Sequence, residues 1–146
     1  MYQDTSLIAL PARFSSLGIL LDRVAAACRD AAFDIACSRR VELAIEELFA
    51  NTVHHAYGGE SDRPVWIKLS AAAGRVSIEY QDAGPSFDPF KAADQPANNA
   101  PPNLTVGGLG RRLIADLATA GTYERRDGRN LVSLEFSRGS QTEPEF

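Results

Sequence analysis

The sequence has few of the features that mark nucleic-acid-binding, membrane or disulfide-stabilised proteins. It has 15 lysines and arginines against 19 aspartates and glutamates, and no basic run, so we expect no nucleic-acid partner. No apolar stretch approaches the roughly 18–20 residues that span a bilayer, so we expect no membrane insertion. The only two cysteines, Cys28 and Cys37, lack CxxC spacing and are predicted to be structural, reduced thiols rather than metal ligands.

The beginning of the chain also lacks an export pattern. Met1 to Thr5 place no positive charge before an apolar segment, so we expect no signal peptide and a cytoplasmic location. The composition is that of an ordinary globular protein, with 45% hydrophobic and 23% charged residues. Its 146 residues predict one domain, 1–146, that is long enough to bury a core.

Helical and alternating patterns follow one another along the chain and predict an α/β protein. The predicted elements are a strand over 6–11, helices from Ser15 or Ser16 to about Ala32 and from about Ser38 to Tyr57, strands over 65–69 and 75–80, a helix after Gly110, and strands over 122–126 and 130–136. Strands gathered into one mixed, mainly antiparallel sheet with helices on one face form a two-layer sandwich.

Two segments are predicted to lack regular structure. Residues 85–106 contain five of the eight prolines and are expected to form a long irregular loop, of the kind that often acts as a lid. Residues 137–146 are expected to form a polar, frayed tail.

The second predicted helix carries a row of polar residues beside its apolar row. Val41, Ile45, Leu48 and Thr52 recur at the spacing of a buried helix face. Glu47, Asn51 and His55 recur every four residues, which places their side chains next to one another. Such a row can hold a water or hydroxyl beside an oxygen-bound cation, or it can be a solvated helix face.

Asp82-Ala83-Gly84 comes directly after a predicted strand. A carboxylate at this place can accept the exocyclic amine of an adenine, and a glycine lets the backbone approach a flat ring. The same residues also suit a plain Asp-x-Gly turn, and the pattern alone does not separate the two interpretations.

Gly107-Gly108-Leu109-Gly110 opens a predicted helix. Glycines at a helix start leave its first amides free to face an anion, and Arg111 and Arg112 add charge in the same turn. A phosphate site and an ordinary glycine-rich turn both stay open. The pattern is not a Walker A motif, since no Gly-Lys-Ser/Thr follows, and not a Rossmann fingerprint, since a loop precedes it.

Taken together, these motifs resemble the N, G1 and G2 boxes of the GHKL ATPase superfamily. The matching stretches are Glu47-x-x-x-Asn51 with His55-Ala56-Tyr57, Asp82-x-Gly84 with Phe87-Asp88-Pro89, and Gly107-Gly108-Leu109-Gly110. The short single-domain layout is similar to the anti-sigma-factor serine/threonine protein kinases. The resemblance implies a Bergerat-type ATP-binding fold.

Carried over by position, the resemblance implies a role for each matching residue of the first two boxes. Glu47 is expected to be the general base for the attacking hydroxyl, and Asn51 to hold the Mg²⁺ ion that bridges the ATP phosphates. Asp82 is expected to bind the adenine amine, and Gly84 to flank the ring. His55 matches a position that is often histidine in the family, where a structural role and contact with ATP both stay open.

The resemblance implies further ATP contacts in the second half of the chain. Phe87 is expected near ATP as part of the second box, beneath a lid over 85–106. The residues expected to wrap the phosphates are Gly107, Gly108, Leu109 and Gly110.

Two positions depart from the family pattern. Ser86 stands where many relatives have a second glycine, which is expected to stiffen the start of the lid. Arg111 stands where the family usually has an apolar or small residue, and it can be either a phosphate ligand or a solvated side chain.

The resemblance implies an ATP-dependent serine/threonine kinase that acts as an anti-sigma factor. Its implied partners are a sigma factor and a small antagonist protein, whose phosphorylation switches the partners, and a homodimer is expected. The alternative is a non-catalytic, nucleotide-gated interaction module with the same fold. The ATP-binding half of a two-component histidine kinase is a third interpretation, but no phosphoacceptor hairpin is expected before Ser6.

Overall fold

The computed structural model describes residues 7–93 and 114–138. In chain order the helices and strands are β1 (Ile8–Pro11), α1 (Phe14–Asp30), α2 (Ile35–Asn51), β2 (Pro64–Ala72), β3 (Arg75–Asp82), α3 (Pro89–Ala93), β4 (Ala120–Arg126) and β5 (Arg129–Ser137). Helix α2 continues into a π-helical turn, Thr52–Ala56, and residues 114–117 are also helical.

The five strands form one sheet in the order β1-β2-β3-β5-β4. Each neighbouring pair is antiparallel, so no parallel pair occurs among the described strands. Helices α1 and α2 pack together and cover one face of this sheet, and the predicted two-layer α/β sandwich is confirmed. No helix within 7–93 or 114–138 has the length and apolar character needed to cross a membrane.

The core lies between the helices and alternate residues of the central strands. The strands bury a row in which Ile67 faces Tyr80 and Tyr80 faces Val132, and a row in which Leu69 faces Ile78. The same face carries Asp82 at the end of β3, because side chains two residues apart point to one side of a sheet. The alternation therefore puts a carboxylate at the margin of an apolar core.

Both long helices begin earlier than the sequence predicted. Helix α1 begins at Phe14, with no serine cap, because the backbone N–H of Phe14 donates to Glu60 Oε1 (2.8 Å) from the loop after α2. Helix α2 begins at Ile35, because the side chain of Asp34 accepts from the N–H of Cys37 (2.8 Å). The first cap is supplied by a distant residue, which local patterns cannot reveal.

The expectation of an irregular segment from residue 85 is wrong for its first part, because this part contains α3. Pro89 occupies the first helical position, and Asp88 Oδ1 accepts from the backbone N–H of Phe90 (2.9 Å) and Lys91 (3.2 Å). The remainder of the predicted lid, 94–106, lies outside the described residues.

The predicted tail also begins too early. Strand β5 includes Ser137, and Arg138 is bound through its backbone N–H to Gly74 O and through its guanidinium to Ala32 O (2.9 Å each). Residues 139–146 lie outside the described part of the chain. Cys28 and Cys37 are buried and unpaired, as expected for structural thiols.

A glycine in β4 makes room for helix α3. A Cβ atom placed on Gly121 would lie 2.4 Å from Cζ of Phe90 and 3.1 Å from Cδ2 of Leu134. The ring of Phe90 therefore occupies the space that a side chain at 121 would need. This contact anchors α3 to the edge strand of the sheet.

We expect Gly121→Ala to destabilise the protein by about 1–3 kcal/mol, because the added methyl group displaces the Phe90 ring. Gly18→Ala is the matched control: Gly18 is exposed within α1 and a Cβ there meets nothing within 4 Å, so this change should stabilise the protein by roughly 0.5–1 kcal/mol. Urea unfolding of both variants measures the two effects. Equal effects of the two changes would contradict the proposed anchoring of α3.

Candidate functional site

A cavity of about 250 Å³ opens between the end of α2, the ends of β3 and β5, and the segment after β3. Its walls are formed by Leu48, Asn51, Thr52, His55, Ala56, Tyr80, Asp82, Pro85, Ser86, Phe87, Pro89, Asn130 and Val132. Apolar side chains with a few polar groups among them are typical of a small-molecule site.

The π-helical turn contributes three of these residues, Thr52, His55 and Ala56, to the cavity wall. At Thr52–Ala56 the helix widens, and the backbone N–H of Tyr57 donates to the carbonyl of Thr52, five residues earlier (2.9 Å). Such turns often occur at functional sites, since they change the direction of side chains along a helix. The sequence predicted a regular helix to Tyr57, and this expectation is wrong from Thr52 onward.

The carboxylate of Asp82 is held by three elements at once. Its Oδ1 accepts from the side-chain Nδ2 of Asn130 (2.9 Å) and from the backbone N–H of Gly84 (3.1 Å). Its Oδ2 accepts from the hydroxyl of Thr52 (2.8 Å). Asp82 is only 8% exposed, so these bonds replace the water that it loses on burial.

The hydroxyl of Tyr80 is hydrogen-bonded to the hydroxyl of Thr52. The two hydroxyl oxygens are 2.7 Å apart, and since Thr52 donates to Asp82, Tyr80 donates to Thr52. Burial raises the pKa of Tyr80 well above its ordinary value, which keeps this hydroxyl protonated as a donor. Tyr80, Thr52 and Asp82 thus form a hydrogen-bonded chain that ends at the cavity.

Asn130, which the sequence analysis missed, binds several partners at the other side of Asp82. Its Oδ1 accepts from the Tyr123 hydroxyl (2.6 Å), from the backbone N–H of Phe87 (3.1 Å) and from Arg125 Nη1 (3.1 Å). The only signal in the sequence is its position two residues after the Asp127-Gly128 turn, near the start of a strand.

Gly84 has a packing role that the structure makes explicit. A Cβ there would lie 2.5 Å from Cβ of Ala56 and 3.1 Å from Cα of the same residue. The turn after β3 therefore touches the π-helical turn, and only glycine permits this approach. Tyr57 fastens the same turn, since its hydroxyl accepts from the N–H of Ala83 (2.8 Å) and donates to Pro64 O (2.7 Å).

The side-chain nitrogen of Asn51 has no hydrogen-bond partner in the part of the chain that the structure describes. This atom, Nδ2, is buried. Buried polar groups are almost always bonded, so an orphan on a cavity wall fits a site for a bound group. A half-turn of the amide exchanges its nitrogen and oxygen, so Asn51 can donate to a phosphate oxygen or offer an oxygen to a cation.

The chemistry of this wall fits Mg²⁺ only if a substrate supplies further ligands. Among residues 7–93 and 114–138, no three His, Cys, Asp or Glu side chains gather where they could hold a metal. Mg²⁺ commonly uses one or two protein oxygens together with phosphates and water. The carboxamide of Asn51 suits that arrangement.

Glu47 lies one helical turn before Asn51 and does not contribute to the cavity wall. Partial burial, and then the charge of Glu46, raise the pKa of its carboxyl group above the ordinary value. A raised pKa makes this carboxylate a stronger base once it is ionised.

The remaining predicted site residues are divided between the cavity and the undescribed segment. His55 and Phe87 both lie on the cavity wall, and Phe87 is 36% exposed. Ser86 is also on the wall, with its hydroxyl 3.3 Å from that of Tyr123. The residues that lie outside the described part of the chain are Gly107, Gly108, Leu109, Gly110, Arg111 and Arg112.

The sequence also matches a known domain family and several named proteins. The sequence pattern of the histidine kinase-like ATPase domain matches residues 10–136. The chain is 30% identical over 92 residues to serine/threonine-protein kinase BtrW of Bordetella bronchiseptica, which covers 63% of this chain and 65% of that protein. It is 24% identical over 151 aligned positions to serine-protein kinase RsbW of Listeria innocua, covering 96% and 92%. Against RsbW of Bacillus velezensis it is 26% identical over 108 residues, covering 70% and 67%.

We expect Thr52→Val to destabilise the protein by about 1–3 kcal/mol, because it keeps the side-chain volume but removes the hydroxyl between Tyr80 and Asp82. Thr122→Val makes the same change at an exposed position of β4 and should alter stability by less than about 0.5 kcal/mol. Urea denaturation measures the free energy of unfolding of the two variants. Near-neutral behaviour of Thr52→Val would mean that the buried chain is not a structural support of Asp82.

Proposed function

The chain belongs to the histidine kinase-like ATPase domain family, and on that premise we propose that it is an ATP-dependent serine/threonine protein kinase. The resemblance to the GHKL superfamily drawn from the sequence is confirmed by the family match over 10–136. The names of the relatives, serine/threonine-protein kinase and serine-protein kinase, support kinase activity for this chain as well.

The observation that carries the proposal is the pairing of two chemistries on one cavity wall. Asp82 offers a buried, fully oriented carboxylate, which suits the exocyclic amine of adenine. Asn51, one turn from Glu47 on the same helix, offers an amide nitrogen without a partner among the described residues, which suits the charged end of a nucleotide. A single cavity that has an acceptor for the adenine amine, Asp82, and a polar side chain for the phosphate end, Asn51, supports ATP as the ligand.

In the proposed mechanism Asp82 binds the adenine amine, and Phe87 and Gly84 lie near the ring. Asn51 would hold Mg²⁺, and a bound Mg²⁺ ion would neutralise charge on the phosphates. Glu47 accepts the proton of the attacking serine or threonine hydroxyl, and its raised pKa favours this role.

The phosphate end of the proposed site rests on residues outside the described part of the chain. We propose that Gly107, Gly108, Leu109 and Gly110 wrap the phosphates through their backbone amides. The lid over 85–106 is proposed to close over them, with its first part fixed by α3. His55 lies where it can contact the nucleotide or support the helix.

We further propose that the kinase works in the cytoplasm, as an anti-sigma factor in a partner-switching pathway. Its substrate is then a small antagonist protein, and its second partner a sigma factor, with the kinase acting as a homodimer. Phosphorylation adds about −1.5 to −2 charges to the antagonist, which is enough to eject it from a complementary surface. The names of the RsbW relatives as serine-protein kinases support the choice of a serine or threonine acceptor.

One observation favours a second candidate, a nucleotide-gated interaction module without phosphoryl transfer. Glu47 does not contribute to the wall of the cavity that the described residues form. If it stays away from the reacting atoms when the nucleotide binds, the fold can bind ATP and partners without transferring phosphate.

Three variants of α2 separate these functions. Glu47→Gln should bind Mg-ATP almost normally but transfer phosphate about 10²–10⁴-fold more slowly, because it loses the general base. Asn51→Ala should lose most Mg-ATP affinity while remaining folded. Glu42→Gln, a control on the same helix at a carboxylate that pairs with Arg39, should retain both properties. Calorimetry measures ATP binding, and labelled ATP with small proteins from the native cytoplasm measures transfer.

Two results would overturn the proposals in different ways. If the wild-type protein binds ATP but labels none of these proteins, the gated-binding function replaces the kinase. If Asn51→Ala binds Mg-ATP with unchanged affinity, Asn51 does not belong to the nucleotide site.

A further inference from the structure

The side chain of Asn130 has no capacity left for a ligand. Its oxygen already accepts from Tyr123, Phe87 and Arg125. Its nitrogen donates to Asp82 Oδ1 (2.9 Å) and to Pro85 O (2.8 Å). A carboxamide has two N–H donors and two acceptor lone pairs, so this one is saturated.

The orientation of the Asn130 amide is fixed from its oxygen side. Three donors converge on Oδ1, from the Tyr123 hydroxyl, the Arg125 guanidinium and the Phe87 backbone. A half-turn of the amide would place its N–H groups against these donors. The nitrogen must therefore face Asp82.

This arrangement selects one oxygen of Asp82. A carboxylate has about four acceptor positions, two on each oxygen. Both positions on Oδ1 are filled, by Asn130 and by the N–H of Gly84, whereas among the described residues Oδ2 accepts only from Thr52. The one acceptor position that residues 7–93 and 114–138 leave free is on Oδ2, in a residue that lines the cavity.

We propose that Asn130 is a positioning residue that determines base specificity, by turning the Asp82 carboxylate so that only Oδ2 can accept an exocyclic amine. This inference rests on the proposed nucleotide site. Asn130 acts through Asp82 and does not touch the base. Tyr123 and Arg125 take part because they set the direction of the amide.

The same side chain links base recognition to the start of the lid. Asn130 binds Phe87 N and Pro85 O, and Arg125 Nη1 donates to Gly84 O (2.7 Å). The turn after β3 is thereby tied to the β4–β5 hairpin. A base amine that engages Oδ2 therefore meets a turn that is already in place.

The test compares two nucleotides that differ in one group. ATP has the exocyclic amine, and purine riboside triphosphate lacks it. The wild-type protein should prefer ATP by roughly 10- to 100-fold, as expected for one hydrogen bond to a charged acceptor. In Asn130→Ala this ratio should fall towards one, because Asp82 keeps only its bonds to Thr52 and Gly84 and an acceptor position on Oδ1 becomes vacant. Calorimetric titration with each nucleotide measures the ratio.

Two further variants make the result unambiguous. Ser133→Ala, on the same strand but on the opposite face of the sheet, should keep the wild-type ratio. Tyr123→Phe removes only one hydroxyl that orients Asn130 and should lower the ratio by roughly fivefold. It serves as the decisive variant if circular dichroism shows that Asn130→Ala does not fold.

The outcomes separate this inference from the proposed function. In one outcome, Asn130→Ala and Tyr123→Phe lower the affinity for both nucleotides equally and keep the ratio of the two affinities. Asn130 is then merely structural, and the inference is overturned. If the wild-type protein binds neither nucleotide, the proposed function itself fails, and the inference fails with it. A ratio that collapses in Asn130→Ala but not in Ser133→Ala supports the positioning role.

Discussion

The buried carboxylate of Asp82 is the constraint on which the rest of the site depends. A negative charge at the margin of an apolar core is costly unless several donors replace its water. Here the donors come from Thr52 in the π-helical turn, Gly84 in the loop after β3, and Asn130 in β5. One charged group thereby fixes the relative positions of a helix end, a loop and a strand.

The other site features follow from bringing those elements together. The loop after β3 must touch the helix end, and the contact between Gly84 and Ala56 leaves no room for a side chain. The π-helical turn lets Thr52 face Asp82 while Asn51, one residue earlier, borders the same cavity. Helix α3, anchored through Phe90 on Gly121, contributes Pro89 to the wall of the same cavity. The result is a buried, hydrogen-bonded carboxylate and the amide of Asn51 on the wall of one cavity, the two features on which the proposed nucleotide site rests.

The sequence predicted the parts of this arrangement that depend on local pattern. Alternation located the strands, and placed Asp82 at a strand end. Helical spacing correctly predicted that Thr52 is buried. Because Thr52 was assigned to an apolar row, the hydrogen bonds of its hydroxyl to Tyr80 and Asp82 were not predicted. Asn130 was missed altogether, because its bond to Asp82 spans 48 positions and only the antiparallel pairing of β3 with β5 makes the two neighbours. The cap that Glu60 supplies to α1 was missed for a similar reason, because Glu60 lies 46 positions from Phe14 in the sequence.

The most direct test of this account is an amide-resolved NMR titration of the protein with Mg-ATP. The account predicts that the largest shift changes fall on the backbone amides of Thr52, Gly84 and Phe87 and on the side-chain amide of Asn130. The opposite face of the sheet, including Lys68 and Ser77, should stay unchanged. Saturable changes confined to that opposite face, with none around Asp82, would contradict the account.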